Sequence, residues 1–112
     1  MKYIKAQVTR YVDDEPQPGI VECCFVDAFG RTHVFVEKTA IVSGSDLTAA
    51  SEYPVPCGLA CEVEREWRDE FGAVRLRVCT ERPWGLESLD SEIRFVVDAS
   101  QMFEDDSTHF HD

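Results

Sequence analysis

Five cysteines and one internal histidine are the residues of this chain whose chemistry most readily goes beyond packing: Cys23, Cys24, Cys57, Cys61, Cys79 and His33. A zinc ion needs clustered ligands, and "CGLAC" (Cys57 to Cys61) offers one pair with three residues between. Cys23 and Cys24 do not supply the second pair. Adjacent residues on a strand point to opposite faces, so the two thiols cannot readily hold one ion. His109 and His111 form a His-x-His pair in the acidic "EDDSTHFHD" end, which reads as a frayed tail. No metal and no other cofactor is expected. The odd cysteine count, with no export signal, points instead to reduced thiols that pack as small hydrophobes.

Covalent catalysis finds no better footing. None of the serines lies in Gly-x-Ser-x-Gly. A thiol–imidazole pair between Cys23 or Cys24 and His33 is disfavoured by the hairpin register, which sets the cysteines beyond His33's nearest partners. There is no Gly-rich phosphate loop and no basic–aromatic stripe. Twenty-two acidic residues against eleven basic ones give a formal charge of −11. That charge opposes binding to nucleic acid and favours a basic protein partner. "MKYIKAQVTRYV" lacks an apolar run of signal-peptide length, and no stretch is long enough for a membrane helix, so no membrane role and a cytoplasmic address are expected.

Elements that would position these side chains follow from apolar alternation. Ile4, Ala6, Val8 and Val12 are expected to share one face of a first strand, followed by a proline-containing loop over 12–19. Two strands, 20–28 and 32–38, flank Phe29-Gly30-Arg31, where Gly30 supplies the positive φ of a tight hairpin. A second hairpin turns at Arg68 to Gly72, with Leu59, Cys61, Val63, Arg65 and Trp67 on one face of its first arm and Val74, Leu76 and Val78 returning on the buried face. Its Arg75 and Arg77 face cross-strand glutamates, each exposed pair contributing ~0.2–1 kcal/mol. Ile93, Phe95 and Val97 mark a last strand. The 39–58 connection is expected to hold one short helix, capped by Ser45 or Asp46 over Leu47 to Ser51. The reading is of an all-β chain: a small antiparallel barrel of about six strands over residues 1–103, an acidic disordered tail from 104, and no repeats.

"VDAFGRTHVFVEKTAIV" and "TERPWGLESLDSEIRFVV" resemble a group of small uncharacterised bacterial all-β proteins. That group carries an Asp-Ala-x-Gly-Arg-x-His hairpin and a later Glu-Arg-Pro-x-Gly-x-Glu-Ser segment. The resemblance spans roughly 19–97. It implies an architecture, a small β-barrel like those of translation-factor accessory domains, and no activity.

Trp84 within "ERPWGLES" poses a sharper question. Pro83 breaks strand pairing and Gly85 permits a bend, so Trp84 is expected to fold back over the open barrel end as a plug. The other option is a ligand platform rimmed by Arg82, Trp84 and Glu87. The functional expectation is a non-enzymatic protein-interaction module, with an immunity-type or regulatory protein as specific versions. The alternative is a small-molecule-binding or enzymatic barrel between the 39–58 loop and the 83–87 turn, lined by His33, Tyr53, Trp84 and Glu87.

Overall fold

Strand-forming alternation becomes one antiparallel sheet in the computed structural model, which describes residues 1–15, 19–44 and 47–104. Its strands are β1 (Lys2–Asp13), β2 (Ile20–Val26), β3 (Thr32–Lys38), β4 (Val55–Arg68), β5 (Val74–Cys79), β6 (Arg94–Asp98) and β7 (Met102–Glu104). The spatial order is β3-β2-β1-β4-β5-β6, with β7 added to β1, and the sheet curls into a half-barrel. The bend is made by β4. Its first half, Val55–Cys61, pairs with β1, while Glu62–Arg68 pairs with β5. Among the described residues no helix is long and apolar enough to cross a membrane.

β1 forks along one edge. Lys2–Ile4 pair with β7 and Gln7–Asp13 with β2, while the other edge carries β4 throughout residues 2–8. Lys5 and Ala6 therefore lie at a split between β7 and β2. Gln101 spans that split, its Nε2 donating to Val26 O at 2.6 Å while its Oε1 accepts from Asp98 N.

The core is the inward row of each strand: Ile4 and Val8, Val21 and Cys23, Phe35, Leu59, Val78 and Val97 are fully or almost fully enclosed. Phe95 of β6 reaches across the opening of the half-barrel. It meets Phe25 edge-on at 5.3 Å, His33 at 4.7 Å and Phe35 at 5.8 Å. Aromatic contacts of this kind contribute beyond their buried area. Backbone bonds complete the closure: Ala28 N–H donates to Val96 O and Leu89 N–H to Val34 O.

The short helix lies earlier than the capping residues imply. It is α1, Thr39–Val42, with no side-chain cap. The Thr39 hydroxyl donates to Gly19 O, and Thr39 and Val42 are buried, so tertiary packing rather than capping holds it. Ser45 and Asp46 lie outside the described residues, and Thr48 to Ser51 close only a turn. Glu104 ends β7; the expected tail beyond it falls outside the described residues.

Candidate functional site

β2 and β4 both run antiparallel to β1, so the hairpins that follow them turn back at the same end of the half-barrel. The two turns are built alike. In the first, Asp27 Oδ1 accepts from Phe29 N–H (2.8 Å) and Arg31 N–H (3.0 Å), Gly30 N–H donates to Asp27 O, and Asp27 N–H to Arg31 O. In the second, Asp69 Oδ1 accepts from Phe71 N–H and Ala73 N–H (2.9 Å each), Gly72 N–H donates to Asp69 O, and Asp69 N–H to Ala73 O. Gly30 and Gly72 have φ of 84° and 82°, the left-handed conformation that glycine adopts without a steric penalty.

The second carboxylate oxygen of each aspartate is used as well, by the residue six positions on. His33 Nε2 donates to Asp27 Oδ2 at 2.7 Å and Arg75 Nε to Asp69 Oδ2 at 3.1 Å. "DAFGRTH" and "DEFGAVR" are thus a short internal repeat, contrary to the expectation of none. Its signal is Asp-x-Phe-Gly in both hairpins, and it is hidden because the far end changes from histidine to arginine. Burial raises the carboxyl of Asp27, but bonds from His33, Arg31 and Phe29 outweigh it, and the group titrates below the usual carboxylate range.

Each turn presents a phenylalanine at the same position. Phe29 is 76% exposed and Phe71 87%, the two most exposed large apolar side chains among the described residues. Nothing in the turn geometry requires an aromatic there, because that position contributes only its backbone N–H. Arg75 joins the two turns: besides Asp69 it donates through Nη1 to Ala28 O at 3.4 Å and lies 3.8 Å from Asp98. The two rings therefore stand on a braced platform. Glu70 lies beside Phe71, and Arg31 of the first turn is paired with Asp90 and Glu92.

His33 is 3% exposed and lies between two carboxylates. Its Nδ1 is 3.5 Å from Glu92 Oε2 without a hydrogen bond, and Glu92 is held by Arg31 at 2.8 Å. Because the carboxylate of Asp27 only accepts, the Nε2 proton points to it. A ring packed this tightly by Phe25 and Phe95 offers a substrate no approach. Arg31, through Glu92, ties the first turn to the 80–93 connection.

The remaining residues singled out from sequence do not gather around it. Tyr53 donates its hydroxyl to Thr48 O and packs against the core, with no bond to His33 or Trp84. Arg82, Trp84 and Glu87 are exposed on the 80–93 connection, Trp84 at 54%. The expected plug is not Trp84 but Leu86, which is fully buried. Buried Thr80 directs this: its hydroxyl donates to Leu86 O at 2.7 Å and Leu86 N–H donates back to Thr80 O. Gly85, at φ 65°, lets the chain turn between the outward tryptophan and the inward leucine.

A cavity of about 960 Å³ opens at the fork in β1, and none of these five residues lines it. Its wall includes Lys5, Gln7, Cys57 and Gln101. All five thiols are free, and no group of three or more metal-ligating side chains occurs among the described residues. Cys57 is set apart from the other four. The hydrogen bond from Cys23 lowers its pKa despite burial, and the proton stays on Cys23, whose own pKa is raised. Burial pushes Cys61 up to about 12.

Comparison with protein-family models, curated proteins and solved structures finds no match for this chain.

Proposed function

We propose that the protein is a non-enzymatic protein-interaction module that engages a basic protein through its two phenylalanine-tipped turns. The observation that carries this reading is the pair of equivalent turns, each holding an aromatic ring in solvent on a hydrogen-bonded frame. Rigid aromatic side chains give large contact area at low entropic cost, and they are enriched at the centres of protein interfaces. The formal charge of −11 and the acids around the tips favour a positively charged partner by steering and by selection against acidic competitors. An immunity-type or regulatory protein is a specific form of this reading. Acidity also weighs against anionic membranes as the surface that receives the two rings.

Retention from host extract tests it. The wild-type domain and a Phe29→Ser/Phe71→Ser variant are immobilised and challenged at low and high salt. Wild type is expected to retain a stoichiometric protein that the variant loses, with weaker retention at high salt. Retention of nothing at either salt, or equal retention by the variant, contradicts the proposal.

A further inference from the structure

The cavity at the β1 fork has a chemical character unlike the rest of the molecule. Acids number 22 of 112 residues, yet no aspartate or glutamate is among the described residues that line it. Among the described residues, its one ionic group is the ammonium of Lys5, which has no ion-pair partner there. The described lining thus carries a cation and no acid. A volume of about 960 Å³ is at the upper end of the range typical of small-molecule sites.

The wall beside Lys5 is aromatic. Tyr3 and Phe103 stack at 5.1 Å with their planes 15° apart, and the pair lies over Gly58, the cross-strand partner of Lys5. A Cβ at Gly58 would come within 2.8 Å of Phe103 Cζ, so the missing side chain is what makes room for the two rings over the strand. Gln7 and Gln101 supply neutral polar groups, and Phe25, Val26 and Ile41 supply apolar surface.

We propose that this cavity binds a small aromatic monocarboxylate, its ring laid along the Tyr3–Phe103 wall and its carboxylate on the Lys5 ammonium. A neutral aromatic would satisfy the wall and leave the ammonium unused. An aromatic cation would meet Lys5 as a like charge. A dianion would lack a second cation to receive it. The site stands apart from the phenylalanine-tipped turns, so the proposal does not depend on the protein-binding reading.

The probe is 2-naphthoate, compared with 2-naphthalenemethanol, which has the same ring system and no charge. Binding is followed by calorimetry, and location by Phe103→Ala, which removes one ring of the aromatic wall beside Lys5. Naphthoate is expected to bind, to bind several-fold more weakly to Phe103→Ala, and to bind about ten-fold more tightly than the alcohol, the scale of one charge-assisted hydrogen bond. Lys5→Met keeps an unbranched apolar stem at an exposed position and is expected to remove that ten-fold advantage while leaving the alcohol unchanged. Equal binding of acid and alcohol, undiminished naphthoate binding by Lys5→Met or by Phe103→Ala, or no binding of naphthoate would each overturn the proposal.

Discussion

His33 Nε2 donates to Asp27 Oδ2 across 2.7 Å, and this contact joins the exposed tip of the first hairpin to the aromatic core. The same carboxylate holds the turn through its other oxygen, so one side chain fixes both the loop that carries Phe29 and the ring packed beneath it. Asp69 and Arg75 repeat the arrangement below Phe71 with a more accessible partner.

Asp27→Ala removes two turn hydrogen bonds and leaves a second nitrogen of buried His33 without a partner. A loss of about 2–3 kcal/mol is expected, measured by urea denaturation. Asp69→Ala is expected to destabilise less, because Arg75 keeps Asp98 and remains in reach of water. A larger effect from Asp69→Ala would show that His33 is not the anchor described.

Acid sensitivity follows from the same carboxylate. The folded-state pKa of Asp27 is depressed, so its contribution is present above the unfolded value, about 3.9, and is lost as pH falls through the folded value. Between those two values the unfolded chain binds the proton first, and stability drops. Asp27→Asn should flatten the stability–pH curve in that window. Glu37 works in the opposite direction: burial raises its carboxyl, so ionising it in the folded state is unfavourable, and Glu37→Gln should stabilise the protein at neutral pH. Stability measured from pH 2 to 7 for the three proteins checks both signs.

Leu86 and Trp84 should separate in mutagenesis. Leu86→Ala opens a cavity under the 80–93 connection and is expected to lower stability by about 3 kcal/mol. Trp84→Ala, at an exposed side chain, should change it by less than about 1 kcal/mol. The reverse order would restore tryptophan as the plug.

How far these features could be read in advance depends on the range of the force that makes each one. Alternation at Ile4, Ala6 and Val8 is a local signature of burying one face, and β1 lies where it predicts. Gly30 marked its turn because only a residue tolerant of positive φ fits there. The 32–38 strand has its predicted bounds. The one short helix expected in the 39–58 connection is present, but at its start rather than after Ser45 and Asp46, because contacts from Gly19, far away in sequence, hold Thr39–Val42. β7 is three residues long, too short for any period to show. Weighting the largest apolar side chain favoured Trp84 over Leu86, whereas the choice is made by Thr80 hydrogen bonds that composition does not encode. His33 stood out by type alone; its partners Asp27 and Glu92 are set by the turn geometry and by closure of the half-barrel.

Thiol reactivity should follow position along the strands. Cys57, with its lowered pKa and its place on the cavity wall, is expected to alkylate fastest in the native protein at pH 7, and buried Cys23 only after unfolding. Mass spectrometry of a timed iodoacetamide reaction gives the order. Faster modification of Cys24, the outward neighbour of Cys23, would show that exposure outweighs the Cys23 hydrogen bond.

Photo-crosslinking from the two tips tests the central claim most directly. A benzoylphenylalanine is placed at Phe29, at Phe71, or at exposed Glu52 as a control, and each protein is irradiated in host extract. The two-tip account predicts that positions 29 and 71 capture the same basic protein and that position 52 does not. Capture of no protein from either tip, of different proteins from the two tips, of lipid alone, or of the same protein equally from position 52 would contradict it.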